Sequence, residues 1–406
     1  MISAEDYLDS LEPIGWKLGL ERMHRLCTML GMPQHRFGSI HVVGTNGKSS
    51  VTRMTAALLE AHGLAAGACV SPHPLRWSER VLIGPAEIGP AEFAAAVSRT
   101  AEAAETVDRA LEEGEAVTQF EIATAAAFVA FAAAHVDVAV IEAGLGGRLD
   151  ATNTIPSRVT VLTSVGLDHT EWLGGTELEI AAEKLAVLRD ATTLVLGRVS
   201  PGLRELAERT AAERGAALVV APEDPGEDVR LRAAGSFQRR NFALARAAAE
   251  AYLGRVEPGP VAEVAATLEV PGRLERIAED PPTFVDVAHN PDGARALAEA
   301  LPEVAGGRPA IAVLAVLADK DAAGIVAALS PAIDRAVCTE LPAAQRPSRP
   351  AAQLVAACES AGLQAEAEPD FAAAVTRGRE LAEQAGGAVL VTGSHYVLGP
   401  ARAALP

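Results

Sequence analysis

The chain has 406 residues, of which 49% are hydrophobic and 22% are charged, so it is long enough for two or three domains and is not disordered as a whole. Its 35 lysines and arginines against 53 acidic residues give a net charge of −18, which argues against a protein that mainly neutralises nucleic-acid phosphates or an anionic membrane. Aromatic residues make up only 4%, so a platform for stacking bases is not expected. We therefore expect a protein that acts on small molecules, with no nucleic-acid and no membrane partner. Its expected state is a monomer, although composition does not determine it.

The sequence contains no predicted membrane span or secretion signal. The most apolar stretch, residues 125–134, is about half as long as the ~20 residues that a crossing helix needs. Residues 1–13 are acidic, whereas a signal peptide begins with basic residues. The four cysteines form no Cys-x-x-Cys pair, which favours buried thiols in a reducing compartment over a disulfide or a zinc site. These features predict a cytoplasmic protein.

The first part of the chain alternates short β-branched runs with alanine-rich helical stretches, which is typical of an α/β domain with a mainly parallel sheet. The predicted strands are nearly continuous in apolar residues, as strands buried on both faces should be. They are residues 40–43, 68–70, 136–141, 159–163 and 194–196. Helices are predicted at residues 51–62, 90–113, 121–134, 177–189 and 241–253.

A second series of the same kind follows a stretch rich in proline and glycine, residues 254–271. Its predicted strands are residues 284–288, 310–315, 336–338 and 388–392, and its predicted helices are residues 292–301, 321–329, 350–361 and 371–385. The fold class is therefore α/β, with a larger N-terminal domain with a mainly parallel sheet over residues 1–270. A smaller Rossmann-like α/β domain is predicted over residues 271–406.

A glycine turn joins the first predicted strand to the first long helix. It reads Gly44-Thr45-Asn46-Gly47-Lys48-Ser49-Ser50. Backbone N–H groups converge at such a turn, the helix dipole is positive there and a lysine adds a mobile charge, so the pattern predicts a phosphate site. A strict phosphate-loop motif has glycine where this chain has Val42, which leaves an ordinary Gly-Lys turn as the alternative.

A carboxylate ends the third predicted strand and is followed by a run of glycines. The segment runs from Ile141 and Glu142 through Gly144, Gly146 and Gly147 to Asn153. A carboxylate at the carboxyl edge of a parallel strand, next to a phosphate loop, lies where the Mg²⁺ of a nucleotide needs an oxygen ligand. A simple tight loop is the alternative interpretation.

Taken together, these motifs resemble a known family. Gly-Thr-Asn-Gly-Lys followed by two small residues resembles the ATP loop of the Mur ligase superfamily, and residues 141–153 closely resemble the signature of folylpolyglutamate synthases and dihydrofolate synthases. Other segments resemble motifs of that family in the same order, namely residues 70–74, 79–81, 166–174, 183–184, 271–275, 286–293, 319–321 and 392–394. The resemblance covers nearly the whole chain and implies that residues 1–270 form a P-loop ATPase domain.

This resemblance implies an ATP-dependent ligase that adds L-glutamate to a folate-type carboxylate through an acyl phosphate. The acceptor would be dihydropteroate, a tetrahydrofolate polyglutamate, or both. Residues 149–151 are similar to the bifunctional bacterial type, which favours both activities. In such a reaction the protein mainly positions groups and neutralises charge.

The resemblance also implies roles for individual residues at the nucleotide end. Thr45, Asn46, Gly47, Lys48 and Ser49 would bind the phosphates of ATP. Residues contacting the nucleotide from later in the chain would be Asn241, Arg273, Asp286 and His289. Because Arg273 and Asp286 belong to the second predicted domain, ATP is expected between the domains, and domain closure is expected to assemble the site.

Two Mg²⁺ sites are implied. Ser71 and Glu142 would hold the first ion and His169 the second. Magnesium prefers oxygen ligands, so the role of His169 rests on the resemblance alone, and a hydrogen-bonded structural histidine is the alternative. The implied catalytic groups are Glu142, His169, Lys48 and Lys184.

Lys184 stands where the family carries a lysine that CO₂ converts to a carbamate. Only an unprotonated amine reacts with CO₂, and a free lysine has a pKa of ~10.4, so the site must favour the neutral amine or trap the carbamate. The segment Leu185-Ala186-Val187 departs from the family pattern, and a lysine on the surface of a helix is the alternative.

The acceptor is expected to lie against two segments, formed by Thr118, Gln119, Phe120 and Glu121 and by Leu149, Asp150 and Ala151. Phe120 is suited to stacking on a pteridine or aminobenzoate plane, although a phenylalanine ahead of an amphipathic helix is as often a core residue.

Two other functions remain open. The first is a Mur-type ligase with a non-folate acceptor. It is favoured by departures from the family pattern at Ser49, Leu185-Ala186 and Val287, and residues 12–21 argue against it because they resemble the folate-side opening of the family. The second, weaker alternative is an ATP-binding regulator without catalysis.

Overall fold

The computed structural model describes residues 3–11, 19–342 and 346–405 of the chain. Its residues fall into two compact units, Met1–Arg230 with Arg240–Thr267, and Leu231–Arg239 with Leu268–Pro406. The domain limits drawn from the sequence, at residue 270, stay a prediction. Most of the segment taken as the folate-side opening, residues 12–18, lies outside the described residues.

The first unit contains an eight-stranded sheet with the order β4-β3-β2-β5-β1-β6-β7-β8. Its strands are β1 (Gly38–Val43), β2 (Ala66–Cys69), β3 (Val81–Ile83), β4 (Ala86–Glu87), β5 (Val138–Glu142), β6 (Val159–Leu162), β7 (Thr193–Leu196) and β8 (Ala217–Val220). All neighbours pair in parallel except β2 with β3 and β3 with β4. This confirms the predicted mainly parallel sheet.

The helices of this unit are α1 (Ala4–Ser10), α2 (Glu21–Met29), α3 (Lys48–Ala61), α4 (Pro90–Asp108), α5 (Gln119–Ala133), α6 (Thr170–Leu173), α7 (Glu177–Leu185), α8 (Pro201–Glu213), most of α9 (Ser236–Leu253) and α10 (Pro258–Thr267). The helix predicted over residues 177–189 ends earlier, at Leu185. Beyond its end, the Arg189 side chain donates to the carbonyls of Asn153 and Ile155. The proline- and glycine-rich stretch at 254–271 predicts a break, but it contains α10, whose Val261 and Val264 are buried.

Burial on both faces explains the apolar strands at the centre of the sheet. Ile40, Val42 and Val43 in β1 are fully buried, and every residue of β5 is buried. Helices cover both sides, as parallel sheets require. This layering places β1, the strand that leads into the phosphate loop, in the middle of the unit.

The second unit has a six-stranded sheet with the order β13-β12-β11-β14-β10-β9. Its strands are β9 (Glu275–Ala278), β10 (Thr283–Val285), β11 (Ala310–Leu314), β12 (Arg335–Cys338), β13 (Gln364–Ala367) and β14 (Ala388–Thr392), and of these β9 alone is antiparallel to its neighbour. The helices are α11 (Pro291–Val304), α12 (Ala322–Leu329), α13 (Ala351–Ser360), α14 (Phe371–Ala385) and α15 (Leu398–Ala403). This confirms the second α/β unit.

The structure bears on the expectations about membrane spans and about the cysteines. None of the helices in the described residues has the length and hydropathy of a membrane span. All four cysteines are free and buried, and the Sγ atoms of Cys338 and Cys358 lie 3.8 Å apart.

Candidate active site

The site of the first unit lies at the carboxyl edge of its central strands. β1 pairs with β5 on one side and β6 on the other, so the loops that leave these three strands emerge side by side. They are the phosphate loop at residues 44–47, the glycine loop at residues 143–152 and the segment at residues 163–169. In parallel sheets this position, where the chain connections diverge, is a common ligand site.

The phosphate loop is held by the segment that follows β6. The amide of Thr45 donates to the carbonyl of Ser164 at 2.8 Å, and the Thr163 hydroxyl donates to the carbonyl of Asn46 at 2.7 Å. Gly44 lies so close to this segment that a Cβ there would be 1.9 Å from Thr163 Oγ1. These contacts fix the loop backbone independently of any ligand.

The first turn of α3 has no side-chain cap at the end of the phosphate loop. Its N-cap residue is Gly47, which has a left-handed φ of 86° and no side chain that could accept from the turn. Lys48 Nζ lies beside this turn and donates to the carbonyl of Thr45 at 3.2 Å. The first-turn N–H groups and the lysine together form the anion-binding geometry that the sequence predicts.

Asn241 approaches the same glycine from α9. A Cβ added at Gly47 would lie 2.7 Å from Asn241 Oδ1, so glycine suits this position for its size as well as for its φ. The structure therefore places Asn241 beside the phosphate loop. Its assignment to ATP binding stays a prediction.

Glu142 at the end of β5 faces the phosphate loop. Its carboxylate accepts from the Ser49 hydroxyl at 3.0 Å and from the amide of Ser71 at 3.0 Å, and it is only 2% exposed. The Glu142 carboxylate and the Ser49 hydroxyl beside it are both oxygen donors, the kind that Mg²⁺ prefers. The donor chemistry thus fits a magnesium ion at this point.

His169 lies on the same edge, after β6. Its φ is 51°, its amide donates to Asp168 Oδ1 at 3.0 Å, and its Nε2 is 3.7 Å from the same oxygen. Across residues 3–11, 19–342 and 346–405, no three His, Cys, Asp or Glu side chains group as a metal site. The second metal site therefore continues to rest on the resemblance alone.

Lys184 is not on the surface of its helix. It is 4% exposed, and its Nζ donates to the carbonyl of Gly44 in the phosphate loop at 2.8 Å. Burial, together with the charge of Lys48, lowers the pKa of Lys184 to about 7, against the opposing charges of Asp168 and Asp150. A large fraction of this amine is therefore neutral near pH 7, which is the form that reacts with CO₂.

The glycine loop after Glu142 is stabilised by its own side chains. Asp150 accepts from the amides of Leu145 and Thr152, at 2.8 and 3.0 Å, and from the Thr152 hydroxyl. Burial raises the pKa of the Asp150 carboxyl, and these hydrogen bonds oppose that rise. Leu149 is half-buried and Ala151 is buried, and the Asp150 carboxylate of this predicted acceptor segment accepts hydrogen bonds from within the loop.

The loop also packs against the helix that carries Lys184. A Cβ added at Gly147 would lie 2.8 Å from the Glu183 carbonyl and 3.0 Å from that of Lys184. The Arg148 side chain donates to Glu183 at 2.9 Å. The position of this loop is thus coupled to the position of the lysine.

The other predicted acceptor segment opens α5. Thr118 and Glu121 form a reciprocal capping box, and Glu121 also pairs with Arg22 at 3.1 Å. Gln119 donates to the carbonyl of Leu8 at 2.8 Å. Phe120 is half-buried, and its ring covers Gly144 of the glycine loop, where a Cβ would lie 2.5 Å from Cζ. Phe120 thus connects this segment to the glycine loop.

Within the second unit, the remaining predicted ATP residues lie at the carboxyl end of β10. Asp286 is buried and accepts from the amides of Leu274 and Ala288, at 3.0 and 2.8 Å. Burial raises the pKa of this carboxyl and the charge of Arg273 opposes the rise. His289 stacks on His395, with ring centroids 4.3 Å apart. Their roles toward ATP stay predictions.

Sequence reasoning misses a buried polar contact near the site. His41 lies in β1, fully buried, and its Nε2 is 2.9 Å from Thr152 Oγ1. The available signal is a histidine within the apolar run of residues 40–43. Thr152 belongs to a motif of the family, but nothing in its spacing indicates that its hydroxyl meets β1.

Comparison with known families matches both units. Residues 42–230 match the Mur ligase middle domain, and residues 272–395 match the Mur ligase glutamate ligase domain. The two matches together span most of the chain.

Individual relatives are similar over most of their length. The Mycobacterium tuberculosis dihydrofolate synthase/folylpolyglutamate synthase is 38% identical over 358 residues, covering 79% of this chain and 74% of that protein. A structure of M. tuberculosis folylpolyglutamate synthase with ADP superposes with a TM-score of 0.90 at 33% identity, covering 98% of this chain and 96% of the other.

Two further solved structures are similar over both chains. Escherichia coli FolC in complex with DHPP and ADP has a TM-score of 0.84 at 29% identity, covering 97% and 94% of the two chains. The Yersinia pestis bifunctional folylpolyglutamate synthase/dihydrofolate synthase with AMPPNP and Mn ion has a TM-score of 0.83 at 31% identity, covering 98% and 96%.

Proposed function

The chain belongs to the dihydrofolate synthase/folylpolyglutamate synthase family of Mur ligases, and we propose that the carboxyl edge of β1, β5 and β6 is where it joins glutamate to a folate-type acceptor. It is an ATP-dependent glutamate ligase of folate metabolism that uses a divalent cation. The proposal also includes the individual residue roles, the range of acceptors, the second metal site, the monomeric state and the cytoplasmic location.

One observation supports the residue roles more than any other. Glu142 is buried and accepts hydrogen bonds from Ser49, in the first turn of α3, and from Ser71, and the N-cap of α3 is a glycine. Such a pairing of a carboxylate with a phosphate loop suits a nucleotide that carries a divalent cation. When bound there, the cation would neutralise charge on the transferring phosphoryl group.

The reaction proceeds in two displacements. An acceptor carboxylate oxygen attacks the γ-phosphorus, the bond to the ADP oxygen breaks, and an acyl phosphate forms. The glutamate amine then attacks the acyl carbon, loses a proton and displaces inorganic phosphate. In the first displacement, Lys48 and the N–H groups of the first turn of α3 hold the phosphate oxygens and stabilise the charge that develops on them.

Lys184 supplies an anion to the same site when its neutral amine takes up CO₂. The N–C bond forms and one proton is released, so a buried amine becomes a carbamate with two oxygen atoms. Its position against the carbonyl of Gly44 supports a place for that group beside the phosphate loop. Lys184→Ala should lose most of the activity, and acetate should restore part of it by supplying the missing carboxylate.

The acceptor test separates the candidate functions. ADP release is measured with dihydropteroate, with a tetrahydrofolate and with a UDP-MurNAc-peptide, each with and without L-glutamate. Glutamate-dependent release with both folate-type acceptors supports the bifunctional assignment. Release with one of them restricts it to a single activity, and release with only the UDP-linked acceptor contradicts the folate assignment.

A separate comparison tests the carbamate. Full activity of Lys184→Gln in buffer free of bicarbonate would show that no carbamate is needed. Loss of activity in wild type on removal of bicarbonate, with recovery on its return, supports the carbamate.

A further inference from the structure

His41 makes a buried polar connection that the ligation mechanism above does not use. It lies in β1, three residues before the phosphate loop begins at Gly44, and its ring is fully buried. Its Nε2 is 2.9 Å from Thr152 Oγ1, and its Nδ1 has no hydrogen-bond partner among the described residues. A buried ring nitrogen without a partner costs free energy, so an apolar residue would suit the packing of this strand better.

The hydrogen-bond directions in this connection are fixed by chemistry. The Thr152 hydroxyl has one proton, which it donates to Asp150 Oδ1. It must therefore accept from His41, which places the proton of the neutral imidazole on Nε2. Burial and the charge of Arg189 lower the pKa of His41 to about 3, so the ring stays neutral and keeps this tautomer.

The connection ends at the loop that faces the site. The Asp150 carboxylate accepts hydrogen bonds from the Thr152 hydroxyl and from the amides of Leu145 and Thr152, so it joins the two ends of the glycine loop. The loop carries Gly144, on which Phe120 packs, and Gly147, which packs on the helix of Lys184. A shift of Asp150 would therefore move both of these contacts.

We propose that His41 is a positioning residue for ligation, which acts through the Thr152 hydroxyl to hold Asp150 and the glycine loop in the geometry that the acceptor requires. This inference rests on the proposed acceptor position beside residues 118–121 and 149–151. It explains why β1 keeps a polar ring in its core. It also gives Asp150 a role in loop organisation that the sequence, which indicates an acceptor contact, does not reveal.

The test removes each end of the connection. Thr152→Val keeps the side-chain shape without the hydroxyl, and His41→Leu removes the N–H donor. With dihydropteroate as acceptor, we expect each to lower kcat/KM for the acceptor about tenfold while KM for ATP stays within about twofold. The double variant should fall no further than the worse single variant, because both remove one connection.

Two further variants separate positioning from packing. Thr152→Ser restores the hydroxyl and should recover most of the lost kcat/KM. Thr160→Val is the matched control, since Thr160 pairs with His41 across the sheet and its buried hydroxyl has no partner in the described chain. Its kcat/KM should match wild type. Three results would each overturn the proposal. The losses of kcat/KM in the two single variants could multiply in the double variant, or KM could change equally for ATP and for the acceptor. The third is a loss of kcat/KM in Thr160→Val equal to that in Thr152→Val.

A readout without turnover keeps this test independent of the proposed function. Amide hydrogen exchange at Leu145 should become about tenfold faster in His41→Leu and Thr152→Val, and remain unchanged in Thr160→Val. Unchanged exchange at Leu145 in the first two variants would overturn the positioning role. If wild type ligates no folate acceptor but exchange accelerates as expected, the acceptor assignment fails while the role of His41 in holding the loop stands.

Discussion

The amino ends of α3 and α5 both carry residues that the sequence assigns to ligands, but they are built differently. At α3 the N-cap is Gly47, which has no side chain to cap the first turn. At α5, Thr118 and Glu121 cap the first turn reciprocally, and Glu121 is paired with Arg22. The first end thus has no side-chain cap and suits an anion, while at the second end the Thr118 hydroxyl accepts from the amide of Glu121.

We infer from this difference that the two helix ends contribute differently to the protein. The polar residues at the start of α5 make hydrogen bonds within the fold, and the Phe120 ring covers Gly144 of the glycine loop. Substitutions at the two helix ends should therefore affect different measurements. Changes at α3 should affect turnover, and polar changes at α5 should affect stability.

The largest expected effect is on stability, from Glu121→Ala. The variant removes the buried carboxylate that pairs with Arg22 and half of the capping box. Breaking a buried ion pair from one side costs ~3–5 kcal/mol, so urea unfolding should show a loss of that order. Turnover of the remaining folded enzyme should change little.

The matched control is the exposed pair Arg25–Glu21 on α2, whose side chains are 44% and 76% exposed. Glu21→Ala should cost less than ~1 kcal/mol, as surface pairs do. A Glu121→Ala protein as stable as Glu21→Ala, but with lost affinity for the acceptor, would assign Glu121 to ligand binding and remove the contrast between the two helices.

Lys48→Ala should give the opposite result. Removal of one group that stabilises transferring charge raises the barrier by ~2.7–4 kcal/mol, so kcat should fall by about 10²–10³-fold. The thermal midpoint should match wild type, because the hydrogen bond that Lys48 makes is to the carbonyl of Thr45 in its own loop. Arg204→Ala on α8, an exposed cation, should alter neither quantity. Near-normal turnover of Lys48→Ala would contradict the assignment of the phosphate loop.

The elements that the sequence predicts best are those defined by local pattern. The apolar runs of β1, β5 and β6 and the glycine turn before α3 each specify their structure over a few residues, and all are present. β8 escapes prediction because it is an edge strand whose residues are mostly exposed, so it lacks the apolar signature. α10 escapes prediction because prolines at its first turn resemble a break, although proline is well tolerated there.

The functional contacts are harder to predict because they join residues distant in sequence. Lys184 meets Gly44 across 140 positions, and His41 meets Thr152 across 111. No spacing rule connects such pairs. The motifs locate the loops correctly, but whether Asp150 or Glu121 faces a ligand or a neighbouring amide depends on the folded geometry.

The buried Lys184, which lies beside the phosphate loop before α3, should make the stability of the protein depend on pH. Its pKa of about 7 lies below the ordinary value of 10.5, so above pH 7 the folded protein releases a proton that the unfolded chain keeps. The free energy of unfolding should therefore rise with pH relative to Lys184→Met, by roughly 2–3 kcal/mol between about pH 7 and 9. Below pH 7 both states are protonated and the burial penalty is fully present.

Urea unfolding of both proteins at several pH values between about 6 and 9, in buffer free of bicarbonate, measures this difference. The Met variant should be the more stable protein at the acidic end, and its advantage should shrink as the pH rises. A difference that stays constant across this range would show that the lysine titrates near its ordinary pKa, and that solvent or a counter-charge reaches it in the folded state.

The smallest expected effect tests the predicted acceptor contact of Phe120 at the start of α5. If the Phe120 ring stacks on the acceptor, Phe120→Ala should raise KM for dihydropteroate about fivefold, since one stacked aromatic contributes roughly 1 kcal/mol beyond its buried area. KM for ATP should stay unchanged. Equal increases for ATP and dihydropteroate would instead indicate damage to the glycine loop, and no change for either would place the acceptor away from α5.

Gly144→Ala provides a second route to the same change, because its Cβ would lie 2.5 Å from Phe120 Cζ and must displace the ring. If both substitutions act by removing the ring from the acceptor, the double variant should raise KM for dihydropteroate no more than the worse single variant. An effect of Gly144→Ala that persists in full on top of Phe120→Ala would show that the glycine acts through the loop backbone. The glycine loop would then affect the acceptor by a route that is independent of the Phe120 ring, and Phe120→Ala alone would measure what the start of α5 contributes to acceptor binding.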